Sequence, residues 1–236
     1  MERGGGMTLP QVVSVVTQKG GAGKSTMALS LGCHWYLKHQ HPVGFIDADP
    51  QESLAQAVAG GPLETLLKAK ECREGAILDT IAQHREDCRP LLIDTKGDVN
   101  GTTLEAVQMS DLVLVPFVPS RYDWNSSLVT LRHCLALAER RAKNPSRAPL
   151  RTLVVLSQAK HGTKQARQYR GDLEAEGFAV ADTEIHHRVA YSEALEYGVA
   201  PTIFEPRGEA AREIAELAGE IEALFTEKKT PDRKAG

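Results

Sequence analysis

The chain has 236 residues, of which 42% are hydrophobic and 25% charged, and its formal net charge is −3. Those values suit one sizeable globular domain, are short for two independent ones, and exclude a wholly disordered or collagen-like chain. The slight acidity excludes a globally basic nucleic-acid coat but leaves room for a local basic patch.

Residues 1–9 are read as a flexible N-terminus, glycine-rich and without the apolar core of an export signal. A single domain is expected over 10–225. Its first strand is Val12 to Thr17, a β-branched run, followed by a glycine-rich loop and a helix from Lys24 to about Lys38. Val43 to Ile46 is a second strand ending in Asp47, Leu91 to Ile93 a third ending in Asp94, Leu112 to Val115 a fourth and Thr152 to Leu156 a fifth. Val180 to Ile185 and Thr202 to Phe204 are weaker strand candidates. A long helix is expected over Asp123 to Ala142, with Asp123 as its N-cap and Leu128, Leu131, Leu135 and Ala138 on its buried face. A last helix, Glu209 to Phe225, repeats the pattern through Ile214, Leu217, Ile221 and Leu224. Continuous apolar strands alternating with helices predict an α/β fold with a mostly parallel central sheet covered by helices on both faces. Residues 226–236 form a charged tail, expected to be flexible and without the apolar face an interfacial membrane helix needs. No run approaches the roughly 18 apolar residues of a spanning helix, so no membrane association is expected.

The segment Lys19 to Thr26 reads K-G-G-A-G-K-S-T and lies between a strand and a helix. Gly20, Gly21, Ala22 and Gly23 let the backbone wrap close to phosphate oxygens, and the N–H groups that follow supply positive potential for an anion. Lys24 is placed to reach β- and γ-phosphates, and the Ser25 hydroxyl to ligate Mg²⁺. Asp47, Asp49 and Asp94 each follow a strand directly. In an open parallel sheet, ligands bind beyond the carboxyl ends of the strands, so the three should converge on the loop. A bound Mg²⁺ uses one or two such carboxylates together with phosphate oxygens and water.

The loop departs from G-x-x-x-x-G-K-[ST]: Gln18 stands at the first glycine position, and an extra lysine, Lys19, follows it. This pattern resembles the deviant Walker A motif of the ParA/MinD superfamily of P-loop ATPases. D-A-D-P-Q (Asp47 to Gln51) resembles the switch I region of ParA-type partition ATPases. S-D-L-V-L-V-P-F-V-P-S-R-Y-D (Ser110 to Asp123) and the segment from Ile185 to Gly198, which contains S-E-A, resemble later family segments. The first strand starts within about a dozen residues, as in the short type without an N-terminal helix-turn-helix domain. The resemblance implies ATP and Mg²⁺ as cofactors, and an ATP-sandwich homodimer in which Lys19 reaches the partner's nucleotide. It also implies Asp47 near the metal shell, Asp49 orienting the attacking water, Asp94 as the Walker B aspartate, and Gly97 near the γ-phosphate. Where many members have two prolines after that aspartate, this chain has Thr95 and Lys96.

The function so implied is a slow ATPase switch. It would be cytoplasmic, associated with the nucleoid when ATP-bound, and would move a plasmid, chromosome or other large cargo. Its partners would be non-specific DNA and a small DNA-binding or cargo-adaptor protein that stimulates hydrolysis. Two basic groups are candidates for the DNA contact, or else solvated helix faces: Arg132, Arg140, Arg141, Lys143, Arg147 and Arg151; and Lys160, Lys164, Arg167, Arg170 and Arg188. Ala190 stands where some members carry an arginine before S-E-A, with Arg188 nearby.

The alternative is a metabolic ATP-dependent ligase on the same fold, dethiobiotin synthetase-like or cobyrinate amidation-like; Lys19 with D-x-D-P-Q favours the partition branch. A nitrogenase iron protein-like reductase needs two cluster cysteines per subunit near the dimer axis, and Cys88 lies just before the third expected strand, at its wrong end; the other cysteines are Cys33, Cys72 and Cys134. Their wide spacing, without a C-x-x-C pair, fits reduced thiols. His186 and His187 form no zinc-spaced cluster.

Overall fold

In the computed structural model, residues 9–49, 53–58, 63, 67–71, 75–97, 101–144 and 146–226 are described. The strands are β1 (Val12–Val15), β2 (Val43–Ala48), β3 (Leu67–Glu71), β4 (Leu91–Thr95), β5 (Leu112–Phe117), β6 (Arg151–Ala159) and β7 (Ile185–His186). The helices are α1 (Lys24–His39), α2 (Ser53–Val58), α3 (Ile77–His84), α4 (Gly101–Met109), α5 (Arg121–Ala142), α6 (Lys164–Ala175), α7 (Val189–Glu196), α8 (Pro201–Phe204) and α9 (Glu209–Thr226). The strands form one sheet in the order β3-β2-β4-β1-β5-β6-β7. Every pairing is parallel.

Burial explains the continuous apolar strands. Val13, Val15, Phe45, Leu92, Leu114 and Val155 point to one face and pack with Leu31 and Trp35 of α1 and Ile214 and Leu217 of α9. Their neighbours point the other way. Ile46 and Ile93 meet Ile77 and Ile81 of α3, while Val113, Phe117 and Leu156 meet Leu131 of α5 and Leu173 of α6. The period-2 alternation of strand side chains therefore feeds two cores, one on each face. A buried carboxylate ties α1 to α9: Glu222 accepts from Trp35 Nε1 at 3.1 Å, Lys38 Nζ at 2.7 Å and His39 Nε2 at 3.1 Å. Burial alone would raise the Glu222 pKa, but the hydrogen bonds from Lys38 and His39 outweigh it and hold the group below its ordinary range.

Several expectations are corrected. Strand β3 had no counterpart, so Leu91–Thr95 is the fourth strand. β3 reads L-K-A-K-E and pairs only with β2, and an edge strand needs no continuous apolar run. The expected strand at Thr202 to Phe204 is helix α8, which starts on Pro201, a residue whose missing N–H costs nothing in a first turn. The expected strand at Val180 to Ile185 is a single bridge from Val180 to Val154 and then the two-residue β7. The N-cap of α5 is Ser120, not Asp123: the Ser120 hydroxyl accepts from the Asp123 N–H at 3.2 Å and donates to Asp123 Oδ2 at 2.8 Å, so the serine satisfies a free N–H of the first turn. The folded body also reaches past the expected limits. Leu9 is buried, and its carbonyl accepts from Arg89; Thr226 closes α9. The rest of the two expected flexible ends, 1–8 and 227–236, lies outside the described residues.

Cys33, Cys88 and Cys134 are buried, and burial pushes the Cys33 and Cys134 thiols up to about 12. Cys88 precedes β4, at the end of the sheet away from the glycine loop; Cys72 lies outside the described residues. Among the described residues no helix is long and apolar enough to cross a membrane.

Candidate functional site

The strand order builds the site. After β1 the chain fills one half of the sheet with β2, β3 and β4, then crosses to β5, β6 and β7. The crevice beyond the carboxyl end of β1 lies where the two halves part. Parallel register brings the aspartates there, since Asp47 is the partner of Asp94 and Asp94 the partner of Val15.

The loop from Gln18 to Gly23 turns back over β1 into α1. Gly21 and Gly23 have φ of 77° and 90°, a left-handed conformation that side chains other than glycine adopt at a cost. Gly23 is also the N-cap of α1, with no side chain to close the helix end, so the first N–H groups of α1 face the cleft. Strand β6 braces the loop from one side: Ser157 Oγ donates to the Ala22 carbonyl at 2.9 Å and Gln158 Nε2 donates to the Gly21 carbonyl. Gly97 braces it from the other, because a Cβ there would stand 3.4 Å from the Gly20 nitrogen. The cleft so formed has a volume of about 700 Å³ and is lined by the loop glycines, Lys24, Ser25 and Thr26, with Asp49 and Gly97 across from them.

Lys24 is 7% exposed and, among the described residues, has no ion-pair partner. A buried ammonium with no close ion pair among the described residues, in a cleft lined by backbone N–H groups, is a ready cation for an anion. Asp94 is fully buried. Its Oδ2 accepts from Ser25 Oγ, and its Oδ1 has no hydrogen-bond partner among the described residues. Burial chiefly, offset in part by Ser25 and Lys24, pushes the Asp94 carboxyl up to about 7. A divalent cation would favour the ionised form and displace the proton, so Ser25 and Asp94 fit a Mg²⁺ edge.

Asp47 is used differently. Its Oδ2 accepts from the Leu54 and Ala55 N–H groups at 2.9 Å each, and its Oδ1 accepts from the Asp49 N–H at 3.1 Å. Both oxygens are thus engaged in capping α2 and fixing the turn that carries Asp49, which makes Asp94 the stronger metal candidate of the pair. Asp49 is half-buried at the cleft wall; Pro50 and Gln51 lie outside the described residues. Thr95, at one of the positions where prolines were expected, is buried and donates to the Val15 carbonyl at 2.9 Å, tying β4 to β1.

Lys19 does not face the cleft of its own chain. Its Nζ lies 2.7 Å from Asp123 Oδ1, with the lysine side chain 48% exposed and the aspartate 3%. Nothing in the sequence signals this pair, because Lys19 lies on the loop after β1 and Asp123 in the first turn of α5, after β5.

Beside the cleft and sharing Gly23, Thr26, Gln158 and Leu195 with it is a second cavity of about 270 Å³, walled by Met27, Ile185, Val189 and Ile214. Its β7–α7 wall is pinned by Glu213 of α9. This carboxylate accepts from His186 N at 3.2 Å, His186 Nδ1 at 2.7 Å, Arg188 Nε at 2.9 Å and Arg188 Nη2 at 2.6 Å. Ser157, Gln158 and Glu213 carried no sequence signal, since each acts through a tertiary contact.

The two basic groups are separated. Arg151 and Lys160 flank the nine-residue strand β6, about 30 Å apart at the usual strand rise. Arg170 and Arg188 are engaged with Glu184 and Glu213, Arg132 with Glu176, and Arg151 with the Leu224 carbonyl.

Comparison with known proteins agrees with this geometry. The family profile of the CobQ/CobB/MinD/ParA nucleotide binding domain matches residues 13–203. Protein ParA of Rhizobium radiobacter is 30% identical over 189 residues, covering 79% of this chain and 83% of the relative. Among solved structures, MinD of Pyrococcus horikoshii OT3 complexed with Mg-ADP superposes with a TM-score of 0.67 at 13% identity, covering 90% of this chain and 96% of that one. A variant of McdA from Cyanothece in complex with ATP superposes with a TM-score of 0.63 at 18% identity, covering 90% and 95%. At those identities the structures support the shared fold.

Proposed function

We propose, for a chain that belongs to the CobQ/CobB/MinD/ParA nucleotide-binding family and within it to the ParA/MinD type of ATPase, an ATP-dependent dimerising switch that holds non-specific DNA and partitions a replicon or positions another large cargo. The observation that carries the nucleotide reading is Lys24, a buried ammonium without an ion-pair partner among the described residues, facing a glycine-lined cleft. Lys19 and the 30% identity to Protein ParA favour the switch over a metabolic ligase.

In this reading the loop N–H groups and Lys24 hold the β- and γ-phosphates, and Ser25 with Asp94 holds Mg²⁺. The metal, when bound, neutralises charge developing on the phosphates. Asp49 orients water for in-line attack, its backbone fixed by Asp47. The apolar cavity beside the cleft takes the base, walled by Met27 and Val189. Glu213 positions that wall. Glu213→Gln keeps the shape but removes the charge that two Arg188 nitrogens use, at about 1.5–3 kcal/mol for a charged hydrogen bond. ATP KM should rise about tenfold, with kcat changed far less. A folded Glu213→Gln protein with parental KM would remove this role.

The test of the whole reading is sedimentation with excess non-specific DNA, with ATP and Mg²⁺ and without them, together with light scattering for mass. ATP-dependent doubling of mass and ATP-dependent DNA retention are expected. A monomer with ATP that turns over a small carboxylate substrate at kcat above about 1 s⁻¹, the ordinary range of metabolic enzymes, would instead establish the ligase.

A further inference from the structure

At the end of the sheet opposite the nucleotide cleft lies a cavity of about 300 Å³. It is walled by Arg140 and Arg141 at the end of α5, by Asn144 and Arg147 in the loop to β6, and by Gln108 at the end of α4. Arg141 is its floor. The Arg141 side chain is 12% exposed and sits 3.7 Å from Asp111. Its Nη1 donates to the Ser110 carbonyl, and its Nε is buried with no hydrogen-bond partner among the described residues. Arg140 and Arg147 are exposed, and no carboxylate among the described residues pairs with either. From Glu139 to Arg151 the chain carries Arg140, Arg141, Lys143, Arg147 and Arg151 against Glu139 alone.

From this arrangement we infer a second phosphate-binding site, at the amino end of the sheet, that grips the backbone of nucleic acid through Arg140 and Arg147 over the buried Arg141. The inference rests on the DNA reading above and assigns it a surface. Guanidinium forks match phosphate oxygens in pairs. Arg140, Arg141 and Arg147 line one cavity, so an anion held there meets two exposed guanidinium forks with a third behind them. A free anion is best held by groups converging on one point. Here Lys143 extends the positive charge beyond the cavity, as a continuous backbone requires.

The position matters. The site lies a strand length from the glycine loop, so DNA and nucleotide do not compete, and a dimer that joins its nucleotide ends turns both sites outward. Each dimer then offers one site to each of two separate stretches of DNA, and the two contacts reinforce one another where DNA is dense enough to reach both. The second basic group is less suited: Arg170 and Arg188 are already engaged with carboxylates, which leaves Lys160, Lys164 and Arg167 around no comparable buried guanidinium.

The test compares the parent, Arg140→Glu/Arg147→Glu and Lys164→Glu/Arg167→Glu, all with ATP and Mg²⁺, for binding to non-specific duplex DNA over a range of salt. Melting temperature serves as the folding control, since all four side chains are exposed. The first variant should bind at least about tenfold more weakly and lose roughly one unit of salt slope per arginine, irrespective of sequence. The second should stay near the parent. Parental binding by the first variant, or loss confined to the second, overturns the assignment while leaving the DNA reading intact. A parent that fails to bind DNA removes both. A separate arm titrates inorganic phosphate and follows melting: stabilisation of the parent but not the first variant, with DNA binding unchanged between them, makes this a free-anion site and overturns the nucleic-acid assignment.

Discussion

Lys24→Ala is expected to lose at least about a hundredfold in Mg·ATP affinity, measured by calorimetry, with no loss of stability in the nucleotide-free protein. The two halves of that result have separate causes. Lys24 is the cation buried beside the loop, and each charge-assisted hydrogen bond it makes to a phosphate in a water-poor cleft contributes about 1.5–3 kcal/mol. Two such bonds exceed the 2.7 kcal/mol that corresponds to a hundredfold, at about 1.4 kcal/mol per tenfold. A lysine buried for structural reasons would have an acidic partner, and truncating it would strand that partner and destabilise the fold. Here, among the described residues, there is no ion-pair partner to strand, so the melting temperature should stay level or rise. The rise in melting temperature that ATP gives the parent should vanish in the variant, because that stabilisation is binding free energy. Unchanged affinity would remove Lys24 from the site. A large fall in nucleotide-free stability would make it structural.

What the sequence made legible follows from how each feature is encoded. The glycine loop, its lysine and the three aspartates are contiguous strings at strand ends, and the parallel register that joins Val15, Asp94 and Asp47 follows from strands too apolar to be half-exposed. Helices α1, α5 and α9 were readable because a long amphipathic pattern outweighs local noise. β3 was not readable, because an edge strand can alternate lysine with small residues and still pair through its backbone. The Asp123 capping role was misassigned by three residues, since both Ser120 and Asp123 suit a helix start and only the backbone of Ser120, at φ −149°, distinguishes them. Partnerships between distant residues left no trace at all: Ser157 with Ala22, Glu213 with His186 and Arg188, and Glu222 with Trp35 each join elements far apart in sequence. The basic groups looked alike in sequence. The fold distinguishes them, since it spends some arginines on carboxylates and, among the described residues, leaves Arg140 and Arg147 without such a partner.

The three residues Lys19, Asp123 and Asp49 should separate dimerisation from hydrolysis. Lys24 already serves the phosphates of its own chain, so the second lysine of the loop has another task. Its ammonium lies 2.7 Å from the Asp123 carboxylate. To neutralise phosphate charge across a dimer it must leave that carboxylate, and a triphosphate offers more negative charge than one aspartate does. A half-exposed pair of this kind contributes about 1 kcal/mol, hence about 2 kcal/mol for the two copies in a dimer, or roughly thirtyfold in the dimerisation constant. Asp123→Asn keeps an acceptor for Ser120 but releases Lys19, so ATP-dependent dimers should form at correspondingly lower protein concentration. Lys19→Ala should keep measurable ATP binding and lose the dimer, because like charges of two facing nucleotides are left uncompensated. Asp49→Ala should do the reverse: the dimer persists, and hydrolysis falls about 10²–10⁴-fold with the loss of the group that orients water. Light scattering with ATP and phosphate release, run on all three variants, resolve the roles. Normal dimerisation by Lys19→Ala would confine Lys19 to its own subunit, as an exposed partner for Asp123 and nothing more. If Asp123→Asn dimerised less readily than the parent, the pair would be part of the assembled interface, not a contact broken on the way to it.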